Sequence, residues 1–284
     1  MKWRIVGRKF ELSRLHQKRE RRFYEEKVSV FGRWWSLLGM IPVVRPKSGR
    51  GGWVMLQKPG VNTATFGVLI MVSVQLALAL VFRWKGLDAL NSAYLEGGLS
   101  WKGIISGRVW QLFTHIFLHG NWAHLAVNAL LFYYAAARLS HVFSGWRIFN
   151  LFMVCGLGGG LAHITLQAFV PGIPPLVGAS GGVTGLLVGF FSISPDSKMI
   201  IFNVSARNLS KGVLGSSALL FFMTPWLEIP LLADLGRWLE SVIGNFIFET
   251  AHLVHFVGGI LGWMLIDRFL PRLLSSDDLA RMRT

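Results

Sequence analysis

Residues 178–195 of the chain read GASGGVTGLLVGFFSISP, a run of small and apolar residues without a charged side chain. This run closes a longer uncharged stretch, residues 148–195, which exceeds what one helix needs to cross a bilayer. The sequence PGIPP at 171–175 divides the stretch, because proline cannot continue a helix. We therefore predict two consecutive membrane spans, 147–169 and 180–195.

The rest of the chain repeats this pattern of long uncharged runs between short charged clusters. Only 15% of the residues are charged and 52% are hydrophobic, whereas a soluble domain carries about 25% charged residues. Runs of about 20 apolar residues suffice to cross a hydrocarbon core about 30 Å thick. The other predicted spans are 63–83, 119–138, 212–226 and 250–268. This pattern predicts an all-α polytopic membrane protein, a bundle of six transmembrane helices, and excludes a single soluble core.

The distribution of charge orients these spans. Residues 1–58 hold 15 Lys and Arg against 4 Asp and Glu, and basic segments beside a span stay on the cytoplasmic side. The connection 227–249 instead carries four acidic residues against one arginine. We predict a basic cytoplasmic tail at 1–58, a membrane domain at 59–270 and a short cytoplasmic tail at 271–284.

This topology also accounts for the net charge of +15. Most of the excess lies in the tail before the first span, where the membrane explains it, so we expect the lipid bilayer as a partner and no nucleic acid. We expect a multi-pass protein of the bacterial plasma membrane with both termini in the cytoplasm.

Polar side chains inside the predicted spans mark the candidate site, because such groups are costly in a bilayer. They are His119, His124 and Asn128 in the second span, Ser180 at the start of the fourth, and His252 and His255 in the sixth. Counting about 1.5 Å per residue from the cytoplasmic ends puts Ser180, His255 and His124 at one depth, toward the outer side. We therefore expect these three residues to share one membrane layer.

A serine, a histidine and further hydrogen-bond donors at one depth suit acyl transfer. Histidine can take the proton of a serine hydroxyl, and nearby donors can stabilise the oxyanion that forms. Depth and the glycines that follow favour His255 over His252 as the base, and we expect His252 to meet water at the loop. Small-residue stripes permit close contact between the fourth and sixth spans; they comprise Gly181, Gly185, Gly189, Gly258 and Gly262.

Other site chemistries find no support in the sequence. The histidines lack cysteine or carboxylate companions at ligand spacing, so we expect no metal and no cofactor. Cys155 is the single cysteine, which excludes an intrachain disulfide.

The sequence resembles the rhomboid family of intramembrane serine proteases over about residues 63–268. The matching residues are His119, His124 and Asn128, then Gly178, Ala179, Ser180 and Gly181, then His255, Gly258 and Gly262. The resemblance implies Ser180 as nucleophile, His255 as general base, and His124 and Asn128 as oxyanion stabilisers. His119 and the glycines would support them.

The resemblance also implies how the site is covered and what it cuts. Segment 84–118, with Trp84, Trp101 and Trp110 as expected interfacial anchors, would be a partly inserted loop. The fifth span with loop 227–249 would be a mobile gate. The substrates would be single-span membrane proteins.

Two positions depart from the family pattern. The loop often carries Trp-Arg, where this chain has Trp110-Gln111, and the position four after the serine is often aromatic but is Thr184 here. These departures bear on loop anchoring and on the orientation of His255.

Two other functions remain open on the sequence. One is a rhomboid-like protein without protease activity that binds transmembrane helices; Ser180 and His255 argue against it. The other is a transporter whose histidines relay protons. It would need a polar path to both faces, yet the inner halves of the second, fourth and sixth spans are almost wholly apolar.

Overall fold

A computed structural model of the chain describes residues 61–140, 142–170, 172–193, 195–196, 198–199, 204–244, 248 and 251–269. The tails predicted at 1–58 and 271–284 lie outside these described residues. Within them the chain is mostly helical, with one short antiparallel hairpin that pairs Lys198 with Ser205.

The helices follow one another with short connections. In chain order they are α1 (Val61–Gly97), α2 (Trp101–Ile105), α3 (Gln111–Thr114), α4 (Trp122–Leu139), α5 (Gly145–Phe169), α6 (Ser180–Ile193), α7 (Ala206–Phe222), a 3-10 turn (Pro225–Leu227), α8 (Leu232–Ile243) and α9 (His252–Phe269). The hairpin strands β1 (Lys198–Met199) and β2 (Val204–Ser205) lie between α6 and α7.

Helix α6 forms the centre of the packed helices. Its side chains are buried along nearly the whole length of the helix, and α5, α9 and α4 pack around it. Small residues make this possible, since a methyl group on Gly182 would press on Phe152 of α5 and one on Gly185 would press on Cys155. Helices that approach this closely hold the first residue of α6, Ser180, in a defined place.

Helix α1 bends at Gly86, whose φ of 79° is a left-handed conformation that glycine adopts without a Cβ penalty. The part before the bend exposes large apolar side chains, among them Phe66, Leu69 and Leu76. The part after it carries Tyr94, whose hydroxyl donates to the His119 carbonyl over 2.6 Å. The bend thus turns the chain from an apolar outer surface toward the candidate site.

Each predicted span coincides with a helix of the structure, but the helices differ in how well they suit a membrane crossing. Thr63–Gly97 and Gly145–Phe169 are long and apolar enough to span a bilayer by length and composition. Ser180–Ile193 and His252–Ile266 are apolar but shorter. The count of six crossings therefore stays a prediction.

Two connections hold more structure than the sequence predicted. Helix α1 continues to Gly97 and is followed by α2 and α3, where we predicted only a partly inserted loop. The connection 227–249 contains the 12-residue helix α8. Helix α7 also begins earlier than the span predicted at 212–226, because Ser205 accepts a capping hydrogen bond from the Asn208 N–H.

Candidate active site

Helices α6 and α9 cross in close contact, which begins at the start of α6 and continues to Gly189. A methyl group on Gly258 would overlap the Gly181 carbonyl oxygen, and one on Gly181 would lie 2.7 Å from Val254 Cγ1. Ser180 precedes Gly181 and His255 follows Val254 in the chain. The two predicted catalytic side chains therefore leave their backbones beside the same helix crossing.

Ser180 is the first residue of α6 and is half-buried. The chain reaches it through Gly178, whose φ of 127° is a conformation that residues with a Cβ rarely adopt. The Gly178 N–H donates to the His115 carbonyl over 2.8 Å, which ties this turn to the segment after α3. The turn thus sets the direction in which α6 begins.

The imidazole of His255 has a nitrogen without a partner. Its Nε2 atom is buried and makes no hydrogen bond within the described part of the chain, whereas most buried polar atoms in proteins are paired. The His255 ring packs edge-on against His252, with centroids 6.1 Å apart. This nitrogen is free to accept a proton from a hydroxyl that approaches it.

From the sequence we expected His252 to meet water at the loop, but in the structure it does not. It is buried, and its ring lies edge-on to Phe248, with centroids 6.3 Å apart, and to His255. The aromatic side chain that encloses it comes from the connection before α9, which the sequence pattern did not place. His252 therefore supports the His255 ring from one side.

His124 lies close to Ser180 at Gly178. A methyl group on Gly178 would be 2.9 Å from His124 Nε2 and 3.9 Å from Ser180 Oγ. The imidazole of His124 and the hydroxyl of Ser180 therefore flank the same glycine. A tetrahedral intermediate on Ser180 would form close to this imidazole.

Hydrogen bonds along α4 hold His124 and Asn128 in place. Asn121 caps the helix, since its Oδ1 accepts from the His124 N–H over 2.8 Å. Asn128 is buried, and its Nδ2 donates to the His124 carbonyl over 3.1 Å. Asn128 thus lies one turn below His124 on the same face of α4.

His119 is fully buried and packs edge-on against His124, with ring centroids 5.2 Å apart. Its Nδ1 donates to the Phe117 carbonyl over 3.2 Å, and its Nε2 has no partner among the described residues. The sequence predicted that His119 supports the site residues. In the structure it contacts the site through the ring of His124.

Thr184 fills the position that is often aromatic in the family pattern. Its hydroxyl donates to the Ser180 carbonyl over 2.7 Å, one turn back along α6. A methyl group on Gly259 would lie 3.3 Å from Thr184 Cγ2, so the small side chain faces α9 just after His255. Here the ring beside His255 is that of His252, from the same helix.

Gln111 ties together the segment between α1 and α4. The side chain is fully buried. Its Nε2 donates to the Leu95 carbonyl over 2.9 Å, and its Oε1 accepts from the Ser100 N–H over 3.2 Å. Gly103 leaves the room, because a methyl group there would overlap the Gln111 amide. Gln111 therefore anchors this segment with an uncharged amide.

Sequence reasoning missed Tyr94 and Asn121, and it connected Gln111 with loop anchoring without naming its partners. Only Asn121 carries a local signal, because asparagine is a preferred N-cap residue. The partners of Tyr94 and Gln111 are backbone groups 11 to 25 positions away, and no spacing rule connects such pairs.

In this architecture a serine and several histidines lie among packed apolar helices. Comparison with known families makes the class of the protein specific. The Rhomboid domain family matches residues 106–271, which include Ser180, His255, His124 and Asn128. The chain belongs to the rhomboid family and is an integral membrane protein.

Several relatives match parts of this chain. RHOMBOID-like protein 1 of Arabidopsis thaliana is 38% identical over 140 residues, 49% of this chain and 34% of the relative. RHOMBOID-like protein 4 of the same plant is 36% identical over 98 residues, 34% of this chain and 24% of the relative. Rhomboid protease GluP of Bacillus subtilis (strain 168) is 21% identical over 141 residues, 49% of this chain and 27% of the relative. The chain thus spans about a quarter to a third of the length of these relatives.

Proposed function

We propose that this protein is an intramembrane serine protease that hydrolyses peptide bonds in or near transmembrane segments of other membrane proteins. The observation that carries the proposal is the crossing of α6 and α9. Ser180 and His255 extend there from neighbouring backbones, and His255 Nε2 has no hydrogen-bond partner among the described residues. The relative from Bacillus subtilis is a rhomboid protease by name, which supports the same activity.

The reaction that these residues suit is acyl transfer through a Ser-His dyad. The Ser180 Oγ bonds to the carbonyl carbon of the scissile peptide as His255 Nε2 takes the hydroxyl proton. The carbon–nitrogen bond then breaks, and the leaving amine takes that proton from His255. His255 then takes a proton from water, whose oxygen attacks the ester carbon. The carbon–Oγ bond breaks, Ser180 Oγ takes the proton back from His255, and the new carboxyl end leaves.

The negative oxygen of each tetrahedral intermediate needs hydrogen-bond donors at its own position. His124 flanks Gly178 beside Ser180, and Asn128 lies one turn further along α4. The Ser180 backbone N–H is a third donor at the N-terminus of α6. We assign these three groups to the oxyanion hole.

The topology that goes with this function has six crossings and both termini in the cytoplasm. It rests on the coincidence of six helices with six apolar runs and on the basic residues that flank them. The substrates would be single-span membrane proteins that enter between the helices. A location in the bacterial plasma membrane stays a prediction, since the relatives include plant proteins, one of them named mitochondrial.

The test is covalent labelling of the purified protein with a serine-directed fluorophosphonate, together with cleavage of a model single-span substrate in liposomes. We expect one adduct, on Ser180, and cleavage that is lost in Ser180→Ala. Thermal unfolding of Ser180→Ala should match the parent, which makes it a folded control.

The outcomes separate the protease from its rivals. A folded parent without adduct and without cleavage would favour a rhomboid-like protein that only binds transmembrane helices. Cleavage that persists in Ser180→Ala would refute Ser180 as the nucleophile.

A further inference from the structure

Helix α8 presents an apolar stripe that the described part of the chain leaves exposed. Leu231, just before the helix, is 81% exposed, and Leu235, Trp238 and Val242 are 46%, 59% and 63% exposed. Their spacing of four, three and four residues places them on one side of the helix. We call these four residues the α8 stripe.

The other sides of α8 are occupied differently. Asp234 and Arg237, an exposed ion pair at 2.5 Å, lie on a polar side together with Ser241. The helix is joined to the protein through Ala233 and Gly236, which are buried. A methyl group on Gly236 would overlap the Met223 carbonyl at the end of α7. Helix α8 thus has three separate sides: one packs on the protein, one is polar, and one is the apolar stripe.

Exposed apolar side chains also occur just before α8 in the chain. Leu219 and Phe222 near the end of α7 and Trp226 in the 3-10 turn are exposed. In an integral membrane protein, exposed apolar residues of this kind face lipid. A helix with one apolar side, one polar side and a tryptophan is the form that lies in the boundary between headgroups and acyl chains.

The backbone before α8 holds Leu231 in a tight turn. Its φ of 65° and ψ of −44° accompany a hydrogen bond of 2.8 Å from the Leu232 N–H to the Pro230 carbonyl, and glycine would adopt this turn more readily. The Leu231 side chain is 81% exposed there and begins the stripe.

A second copy of the chain fits the stripe less well than lipid does. A helix of 12 residues is about 18 Å long, and four side chains on it offer far less than the roughly 800 Å² per partner of a stable interface. Charge attraction to anionic lipid does not contribute, since α8 carries Asp234 and Glu240 against Arg237. Apolar contact is the attraction that the stripe offers.

We propose that α8 is an interfacial membrane anchor whose stripe inserts into the outer boundary of the bilayer and holds the chain after α7 on the lipid. The proposal rests on the topology under Proposed function, which puts 227–249 outside. The anchor holds the connection 227–249 at one depth in the bilayer. The end of α7 is therefore kept at the bilayer surface and away from free water.

The experiment measures depth at two adjacent positions. Cys155 is the single cysteine and is buried, so the parent protein serves as the labelling blank. Trp238→Cys and Arg237→Cys are each labelled with a small fluorophore and reconstituted into phosphatidylcholine liposomes. We expect nitroxide-bearing lipid to quench the label at 238 several-fold more than at 237, and aqueous iodide to do the reverse. Leu235→Cys and Ser241→Cys form a second matched pair.

Each other outcome overturns the proposal. Equal access of iodide to both labels would mean that the stripe lies in water. Protection of the 238 label from both quenchers would mean that protein, such as a second copy, covers it. The measurement needs no cleavage, so a parent protein that shows the expected depths but neither forms the Ser180 adduct nor cleaves would refute the protease and leave the anchor standing.

Discussion

His255 and His252 lie one turn apart on α9 and differ in what surrounds them. His255 has a buried Nε2 without a partner among the described residues, while His252 packs between Phe248 and His255. We therefore expect His255→Ala to abolish both cleavage and fluorophosphonate labelling. His252→Ala should keep most of each and lose some thermal stability. Kinetics with one substrate and labelling of both variants check this, and the opposite pattern would move the base to His252.

A second prediction for a single residue concerns how much the buried Gln111 amide stabilises the fold. Gln111→Leu keeps a similar volume but leaves the Leu95 carbonyl and the Ser100 N–H without the side-chain partner, and an unpaired buried group costs about 1–3 kcal/mol. We expect a clearly lower unfolding temperature. Arg108→Ala is the control, because its ion pair with Glu96 is exposed and worth at most about 1 kcal/mol. Equal effects would mean that the amide anchors nothing.

Candidate site residues could be named from the sequence where one pattern located them. Ser180, His255 and His124 stand out because they are polar residues in apolar runs at one depth. The burial of His252 was not predictable, because Phe248, whose ring lies edge-on to it, comes from the loop before α9. Side-chain surroundings of this kind depend on loop geometry and not on helical periodicity.

The crossing of α6 and α9 supplies a prediction at the level of elements. Gly258→Ala places a methyl group on the Gly181 carbonyl, and such overpacking typically costs about 1–3 kcal/mol. The helices would separate, so we expect lower thermal stability and a large loss of cleavage. Gly215→Ala in α7 is the control, because a methyl group there meets nothing within 4 Å. A Gly258→Ala protein with the activity and stability of the Gly215→Ala protein would contradict the assignment of the crossing.

Apolar runs predicted the positions of the long helices but not all of their ends. Helix α7 extends six residues before the predicted start at 212, over Arg207 and Lys211, because its cap at Ser205 decides where it begins. Hydropathy marks where a chain enters lipid, whereas hydrogen bonds mark where a helix begins. The two boundaries need not agree.

Helix α8 was missed for a related reason. Its apolar residues recur at helical spacing, but Asp234, Arg237 and Glu240 interrupt every apolar run. A search for uncharged stretches therefore reads the segment as a loop. The periodicity test that finds amphipathic helices would have identified it.

The orientation of the whole molecule is testable with two cysteines. Positive residues Arg138 and Arg147 flank the turn between α4 and α5, which predicts a cytoplasmic position for the exposed Ser144. Helix α8 should lie outside. In sealed right-side-out vesicles we expect a membrane-impermeant maleimide to label Asp234→Cys and not Ser144→Cys, with both labelled after the vesicles are opened. Labelling of Ser144→Cys in sealed vesicles would reverse the topology.

On the scale of the molecule, composition and charge predicted the class of fold, because a bilayer admits few ways to bury a polar backbone. They did not predict how α1 bends at Gly86 or how the segment before α4 folds back onto it. These features depend on single glycines and on hydrogen bonds such as that from Tyr94 to the His119 carbonyl.

The uncharged nature of the Gln111 anchor has a consequence for the surroundings that the protein tolerates. A guanidinium in the same buried place would need a counter-charge. The Gln111 amide carries no charge, so neither ionic strength nor acidity alters the bonds it makes to Leu95 and Ser100. These two bonds should therefore hold alike in dilute and saline media, whereas the exposed Arg108–Glu96 ion pair beside them is weakened by salt.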